Sequence, residues 1–247
     1  MGKFAHDEIV PFKESEQTKK DQVADMFNSI AFKYDFLNRF LSAGIDIWWR
    51  KKAIAELKEL NPKTVLDVAT GTADVAILTH KILHPEKIIG IDISDGMLEI
   101  GRKKLTDKQL NPYITLQNGD SANLPFEDNQ FNAITVAFGV RNFQLLEKGL
   151  GEMYRVLKPG GKMVVLEFSK PSAPLFKQFY HLYMNIITPT IGNFFSKNRE
   201  AYQYLNDSVQ AFPEGQSFLN IMNGAGFTQT YLKKLSFGIC TIYCGSK

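Results

Sequence analysis

The 247 residues suit one α/β domain with appended segments, and 44% hydrophobic and 22% charged residues are ordinary for a globular protein. A net charge of +3 with scattered lysines gives no indication of a nucleic-acid-binding protein. The first sixteen residues are polar and partly acidic, and no apolar run approaches the roughly 18 residues of a spanning helix, so we expect a cytoplasmic protein without signal peptide or membrane span.

The N-terminal segment, residues 1–60, is predicted to form a helical cap. From Gln17 onward apolar residues recur at helical spacing, and residues 46–60 form a further amphipathic helix that ends before Pro62. Between them, residues 32–42 are dense in aromatic side chains. This stretch is interpreted either as a helix that covers the core or as a lid over a ligand.

Strands and helices alternate through residues 61–170. This pattern indicates right-handed β-α-β units, a parallel sheet between helical layers, and ligand binding at the carboxyl ends of the strands. A turn is predicted at Pro159-Gly160-Gly161, before the last of these strands. The predicted strands are 64–68, 87–92, 113–117, 131–137 and 162–168, and the predicted helices are 72–83, 95–105 and 144–157.

The alternation ends at Pro171. Residues 171–213, which include the aromatic-rich stretch 175–187, are predicted to form a helical insertion on the substrate side. Residues 214–247 are predicted to return to the core with a helix over 216–225 and strands over 231–235 and 238–243.

The two cysteines, Cys240 and Cys244, are four residues apart, in and next to the last predicted strand. Four residues of strand separate them by roughly 13 Å, which is too far for a disulfide. We therefore expect reduced core residues, as is usual in cytosolic proteins.

The segment from Thr64 to Asp74 is the strongest indication of a ligand site. A short β-branched strand leads into a turn of small residues, 69–73, against whose backbone a ligand can lie. The helix that follows points its free N–H groups and its positive dipole end into the same crevice. Asp92 ends the next strand, where a carboxylate can accept hydrogen bonds from both ribose hydroxyls; helix capping is the alternative, but Ser94 already serves that role.

The turn does not match a phosphate-binding loop. Alanines stand at two glycine positions of the G-x-G-x-x-G pattern, only Gly71 remains, and the turn has no Lys or Arg. The acidic residues Asp67 and Asp74 instead suit a cationic, phosphate-free ligand, of which S-adenosylmethionine is an example. Asp120, at the end of the third strand, is a candidate for the adenine amino group, with a plain turn residue as the alternative.

Other catalytic patterns are absent from the sequence. There is no G-x-S-x-G and no H-E-x-x-H. His80 and His84 have the spacing of metal ligands, but no third ligand accompanies them locally. A solvated helix end is therefore favoured, and no metal site is predicted.

Four longer motifs carry a family resemblance, at residues 155–169, 34–49, 138–142 and 201–205. They resemble the C-methyltransferases of ubiquinone and menaquinone biosynthesis, within the Rossmann-like S-adenosylmethionine-dependent methyltransferases. The first matches a family signature throughout. The second departs from its signature at Leu37 and Asp46, where the family usually has Met and His. The resemblance extends from about residue 27 to the C-terminus.

The resemblance implies an α/β, Rossmann-like, seven-stranded class I methyltransferase whose last strand is antiparallel. A serine contact that is common in the family is replaced by Ala137. Together with Gly71 of the turn, the residues expected to bind S-adenosylmethionine are Thr70, Asp92, Asp120 and Ser121.

The implied reaction moves a methyl group onto a ring carbon of a prenylated demethylquinol. The protein must hold carbon and methyl in line, increase the electron density of the ring, and let a proton leave afterwards. Arg141 follows the fourth strand and is expected to stabilise the developing ring oxyanion, while Asn142 orients the ring or a water molecule. Tyr204 and His181 are further candidates for ring contacts or a proton path.

Demethylmenaquinol, in the last step of menaquinone biosynthesis, is the favoured acceptor. The alternatives are the benzoquinol precursor of ubiquinone, a non-catalytic quinol-binding scaffold, and a methyltransferase of the same fold for another small molecule. Because a polyprenyl tail is held in the bilayer, residues 175–187 are expected to line a tail site or to contact the inner face of the membrane, with core packing as the alternative. A homodimer is left open.

Overall fold

One seven-stranded sheet organises the computed structural model, which describes residues 4–42, 44–171 and 199–247. The strands are β1 (Thr64–Val68), β2 (Lys87–Asp92), β3 (Ile114–Asn118), β4 (Phe131–Ala137), β5 (Leu157–Phe168), β6 (Thr228–Leu235) and β7 (Cys240–Ser246). Their order is β3-β2-β1-β4-β5-β7-β6; the first five pair in parallel, and β7 is antiparallel to both of its neighbours. The predicted Rossmann-like α/β fold is confirmed.

Helices cover both faces of this sheet. They are α1 (Lys19–Leu41), α2 (Ile45–Ala55), α3 (Asp74–Leu83), α4 (Asp95–Asp107), α5 (Leu146–Val156), α6 (Arg199–Ala211) and α7 (Gln216–Gly224). Residues of α2, α3 and α4 pack with one face of β1, β4 and β5, and residues of α5 and α7 pack with the other face. The central strands are therefore buried on both sides, which explains their continuous runs of branched apolar residues.

Helix α1 packs on α4 and α6 rather than directly on a face of the sheet. Val23, Met26 and Ile30 on its inner side pack with Met97 of α4 and with Tyr204 of α6. The burial of this apolar stripe stabilises the helix more than its own residue preferences can, as is general for helices in proteins.

A side chain of α1 caps the neighbouring helix. Asn28 Oδ1 accepts hydrogen bonds from Ser94 Oγ at 2.8 Å and from Gly96 N at 2.9 Å, at the N-terminus of α4. A Cβ at position 96 would lie 3.3 Å from the Cα of Asn28, so glycine permits this close approach. α1 is therefore attached to the loop that follows Asp92.

Several element boundaries differ from the sequence prediction by one to three residues, and the larger differences concern α1, α2 and β5. α1 continues as one helix to Leu41 and so includes most of the aromatic stretch, and α2 ends at Ala55 rather than at residue 60. β5 begins at Leu157, because Pro159-Gly160-Gly161 forms an irregularity within the strand rather than a separate turn. The backbone of Lys247 is hydrogen-bonded to this irregular part of β5, because Gly160 N donates to the carbonyl oxygen of Lys247 at 2.9 Å.

The predicted insertion at residues 171–213 lies largely outside the described residues. Its aromatic stretch 175–187, together with His181, is among the residues that are not described, so its predicted roles stay predictions. The described part contains α6, whose Ala201 and Tyr204 face α1.

The first described residues, 4–12, form a strap that buried His6 anchors to the rest of the protein. His6, in a short 3-10 turn over Ala5–Glu8, is fully buried and lies edge-on to the ring of Phe212. Lys19 Nζ donates to its carbonyl oxygen. Burial, reinforced by the positive charge of Lys19 and opposed by Asp7, lowers the pKa of His6 to about 4. Burial also lowers the pKa of Lys19 to about 8.

Acidification is expected to release this strap. His6 must be neutral to stay docked, so docking is strongest above its ordinary pKa of 6.5 and weakens as the pH falls toward about 4. The full effect over this interval is about 3 kcal/mol. Hydrogen exchange should show falling protection of the Phe12 amide, which donates to Gln22 Oε1 at 2.9 Å.

The His6→Phe variant provides the control, because phenylalanine keeps the aromatic packing and cannot titrate. Its protection factor should be nearly constant over the same pH interval. A wild-type protection factor that does not change between neutral pH and pH of about 4 would contradict this account.

Candidate functional site

A cavity of about 290 Å³ lies at the carboxyl ends of the strands, where the strand order reverses between β1 and β4. The loops after β1, β2, β3 and β4 form its floor, and Val23, Phe27 and Tyr34 of α1 form its opposite wall. A crevice at such a switch point is the usual ligand site of an open α/β sheet.

The backbone angles of the turn after β1 explain why this turn consists of small residues. Ala69, Gly71 and Ala73 all have left-handed φ angles, of 53°, 54° and 65°. A Cβ added at Gly71 would meet no atom within 4 Å, so the turn leaves open space against its own backbone. This observation supports the prediction that a ligand lies against the turn.

Asp92 joins the turn to the start of α4. Its Oδ2 accepts from Gly71 N at 2.8 Å, and its Oδ1 accepts from Ser94 N at 2.9 Å. Ser94 is the residue that caps α4, because its hydroxyl oxygen accepts from Met97 N. Burial raises the pKa of Asp92. The carboxylate lines the cavity and keeps further lone pairs for ribose hydroxyls.

Thr70 does not line this cavity with the other predicted cofactor residues. Its hydroxyl donates to Asp67 Oδ2 at 2.6 Å, and Thr135 donates to Asp67 Oδ1 at 2.6 Å. Burial raises the pKa of Asp67 to about 6, although both hydroxyls oppose the rise. Thr70 therefore stabilises the conformation of the turn through its hydrogen bond to Asp67.

The sequence argument that Asp67 and Asp74 attract a cationic ligand is wrong in its details. Asp67 is fully enclosed by the two threonine hydroxyls. The carboxylate of Asp74 contacts Lys104 at 2.7 Å, Arg39 at 3.1 Å and Arg50 at 3.7 Å. Burial alone would raise the pKa of Asp74, but these cations lower it. Neither carboxylate lines the cavity.

Asp120 and Ser121 do line the cavity, as predicted for residues near the adenine. Asp120 Oδ1 accepts from Ala122 N at 2.8 Å, which shapes the turn after β3. Its Oδ2 lies 3.3 Å from Lys20 Nζ, at the start of α1. The ion pair therefore joins the start of α1 to the loop after β3 within the cavity lining. Ala137 also lines the cavity, where the family commonly has serine.

Arg141 is buried beside the cavity rather than in it. Its side chain is about 3% exposed, and its Nη1 donates to Phe138 O at 2.6 Å and to Glu167 Oε1 at 2.7 Å. Glu167 is fully buried and also accepts from Phe168 N at 2.9 Å. The pair holds the turn over Val140–Asn142 against the end of β5.

Sequence reasoning missed Glu167 as a site residue. An acidic residue within the apolar run 163–168 of a central strand must be paired when buried, and this signal could have found it. Its partner could not be identified from spacing, because 26 residues separate it from Arg141.

Asn142 is the predicted catalytic residue that lines the cavity. The hydroxyl of Tyr204 donates to Asn142 Oδ1 at 3.0 Å, while Asn142 Nδ2 is 3.5 Å from Phe138 O. Burial raises the pKa of Tyr204 above its ordinary value, which keeps the hydroxyl protonated as a donor. The amide oxygen of Asn142 therefore has a shorter hydrogen bond within the protein than its Nδ2 group has.

Other sequence features lie apart from this site. His80 stacks on Tyr113 at 4.6 Å, and no three His, Cys, Asp or Glu side chains of the described residues are grouped as a metal site requires. Cys240 and Cys244 are both free and buried, as predicted. None of the helices among the described residues combines the length and the apolar character that crossing a bilayer requires.

Comparisons with known proteins agree with this geometry. The family model described as the ubiE/COQ5 methyltransferase family matches residues 15–247. A demethylmenaquinone methyltransferase of Bacteroides fragilis is 46% identical over 244 residues, which cover 99% of each chain. A ubiquinone/menaquinone biosynthesis C-methyltransferase UbiE of Geotalea daltonii is 45% identical over 230 residues, or 93% of this chain and 97% of the relative.

Solved structures share the fold at lower identity. A SAM-dependent methyltransferase of Thermotoga maritima has a TM-score of 0.65 and 19% sequence identity, over 91% of this chain and 99% of that chain. The likeness supports the class I methyltransferase architecture described above.

The Asp92→Asn variant should bind S-adenosylmethionine more weakly. An amide cannot accept from both Gly71 N and Ser94 N, and it removes the charge that favours hydroxyl donors. We expect a loss of about 10- to 100-fold in affinity by titration calorimetry, from the usual worth of a charged hydrogen bond.

Asp95→Asn is the matched control, because Asp95 is the exposed first residue of α4 and does not line the cavity. Thr70→Val should instead lower the free energy of unfolding, by about 1–3 kcal/mol, because it removes a donor from buried Asp67. An affinity loss for Thr70→Val as large as that for Asp92→Asn would contradict this assignment.

Proposed function

Because the chain belongs to the ubiE/COQ5 methyltransferase family, we propose that it transfers a methyl group from S-adenosylmethionine to a ring carbon of demethylmenaquinol. The observation that carries the proposal is the continuity of the cavity. Asp92 and Asp120 line the side of this cavity that we propose for the cofactor. Asn142 and several aromatic side chains line another side of the same cavity. A methyl donor and a ring acceptor can therefore meet there without crossing a barrier.

The residues present fit the cofactor. Open space at Gly71 can take the ligand against the turn, Asp92 can accept from ribose hydroxyls, and Asp120 with Ser121 lies where the adenine is expected. When bound, S-adenosylmethionine supplies an electrophilic methyl group on a positively charged sulfur. The carboxylates of Asp21, Asp92 and Asp120 line this cavity together with one ammonium group, that of Lys20, so the lining has a net negative charge that favours such a ligand over an anionic one.

The protein must increase the electron density of the acceptor ring. Loss of a quinol hydroxyl proton does this, and a hydrogen-bond donor at the ring oxygen stabilises the charge that develops. We assign this donor to Asn142 Nδ2. The amide oxygen is already held by Tyr204, so its N–H group is the side that remains for a ligand in the cavity.

Arg141 acts through the turn in this proposal rather than on the ring. Its charge is balanced by Glu167 at 2.7 Å, and its Nη1 holds the carbonyl oxygen of Phe138. Phe138 and Asn142 both line the cavity. The buried ion pair therefore fixes the distance between the cavity floor and the donor group, as a positioning device.

Aromatic side chains give the acceptor its apolar surface. Phe27, Tyr34, Phe138 and Phe143 line the cavity, and the ring of Tyr34 packs edge-on against Phe27 at 5.7 Å. Such walls suit a fused aromatic ring and exclude water from the reacting groups. The proposal that residues 175–187 hold the prenyl tail remains, on the ground of their composition.

A methyl-transfer assay tests the function. Purified protein is supplied with isotopically labelled S-adenosylmethionine and with short-tailed demethylmenaquinol or the corresponding demethylated benzoquinol, and the products are read by mass spectrometry. Label on the naphthoquinol ring is the expected result. Label on the benzoquinol alone would replace the proposed acceptor, and label on neither would overturn the proposal.

The Asn142→Ala variant should lower kcat by about 100-fold, because a donor to a developing oxyanion is removed. Tyr204→Phe removes the hydrogen bond that orients the amide of Asn142. It should lower kcat less, by about tenfold, which corresponds to the loss of one hydrogen bond of ordinary strength. Neither change should alter the affinity for S-adenosylmethionine, measured by titration calorimetry.

Asn118→Ala provides the control, since Asn118 ends β3 at the same edge of the sheet but does not line the cavity. Equal turnover for Asn118→Ala and Asn142→Ala, or a loss confined to KM, would contradict the role assigned to Asn142.

A further inference from the structure

The outward face of α2 and the turn between β6 and β7 expose large apolar side chains. Ile45 and Trp48 are each 46% exposed, and Phe237 is 67% exposed. Ile45 and Trp48 are three residues apart and so lie on one face of the helix. We call these three residues the α2 patch.

The turn is held against α2 in a strained conformation. Trp49 Nε1 donates to Ser236 Oγ at 2.9 Å, which joins the helix to the turn. Ser236 and Phe237 both have left-handed φ angles, of 45° and 58°. Two consecutive side-chain-bearing residues in this region are costly, and such strain is found where a side chain is held for a purpose. Here it presents the phenyl ring of Phe237 to solvent.

Positive charge surrounds the α2 patch. Lys51 and Lys52 are exposed on α2, and Lys234 is exposed near the end of β6. Lys52 Nζ lies 5.6 Å from the ring centre of Trp48. The exposed positions of α2 are Ile45, Trp48, Lys51 and Lys52, so none of them is acidic. Tryptophan beside lysine is the combination that favours the interface of an anionic bilayer.

The α2 patch is close to the reaction cavity. Trp49 packs against the ring of Phe138 at 6.4 Å and against that of Phe168 at 6.0 Å, and Phe138 lines the cavity. Ser169 Oγ donates to Gly238 O at 2.7 Å, so the chain reaches Pro171 beside the same turn. The aromatic-rich residues 175–187 follow from there in sequence.

We propose that the α2 patch docks the protein on an anionic lipid surface, with Trp48 and Phe237 at the headgroup level and Lys51 and Lys52 against lipid phosphates. This rests on the proposed function, because a prenylated quinol is held in a bilayer. Because Trp49 of the same helix packs on Phe138 of the cavity lining, docking here brings the cavity close to the leaflet that contains the acceptor, so that the ring can enter while the tail remains in lipid.

Vesicle sedimentation tests the surface without using turnover. The full chain is mixed with vesicles of phosphatidylcholine alone or of phosphatidylcholine with phosphatidylglycerol. Wild-type protein should sediment with the anionic vesicles and be released by salt. The Lys51→Gln, Lys52→Gln double variant should lower the partition coefficient by about thirtyfold, from the usual contribution of two lysines near a charged membrane.

Trp48→Ser should also reduce sedimentation and should remove the blue shift of tryptophan fluorescence that vesicles induce. The chain has two tryptophans, and the other, Trp49, is buried. Tyr113→Ser is the matched control, because Tyr113 is 45% exposed but lies next to the start of β3, at the opposite edge of the sheet. This variant should sediment like the wild type.

Equal sedimentation of the wild type and both patch variants would overturn the proposal. It would also be overturned if the lipid-free wild type were a dimer by sedimentation velocity and Trp48→Ser a monomer, since the α2 patch would then bind a second copy. Methyl transfer to a short-tailed acceptor is measured on the same proteins without vesicles. This measurement distinguishes a failure of the docking proposal from a failure of the proposed function. Lost sedimentation with full turnover supports the docking surface, whereas absent wild-type turnover overturns the function alone.

Discussion

The close contact between the turn after β1 and the loop after β4 determines the geometry of the site. A Cβ at Gly139 would lie 2.5 Å from the Cβ of Ala69, so neither position tolerates a larger residue without movement. Ala69 and Phe138 both adopt left-handed φ angles, of 53° and 60°. The two loops reverse direction together, and the carbonyl oxygen of Phe138 is thereby turned toward Arg141. The positions of the two loops that line the proposed cofactor and acceptor sides of the cavity are thus set by one close contact.

Charged side chains around this contact are paired inside the protein. Arg141 is balanced by Glu167, and Asp74 is balanced by cations from α1, α2 and α4. Such groups contribute little to a ligand directly, because their fields are largely cancelled at short range. The carboxylates that line the cavity are those of Asp21, Asp92 and Asp120, and Asp120 is paired with Lys20. In the proposed function, electrostatic selection of the cofactor therefore depends on the charged groups at the start of α1 and at the ends of β2 and β3, and the internal pairs maintain the shape of the loops.

The sheet could be predicted from the sequence because buried parallel strands have an unmistakable composition, and β1, β2 and β4 have the bounds expected. Asp92 could be placed because it directly ends a strand. Contacts between distant residues could not be predicted from local pattern: Glu167 pairs with Arg141 across 26 residues, and Tyr204 holds Asn142 across 62. Thr70 shows the same limit, since no pattern tells whether a hydroxyl points to a ligand or to a buried carboxylate.

The capping contact between Asn28 and the start of α4 links two positions that are far apart in the sequence. The amide of Asn28 occupies the space that a side chain at position 96 would need, and it accepts from the backbone N–H of Gly96, which a smaller residue at position 28 would leave without this partner. A substitution at either position alone should be disfavoured during divergence, whereas a compensating pair can be tolerated. The helix over the cavity and the loop that carries Asp92 are thus expected to change together in evolution, as a single inherited unit.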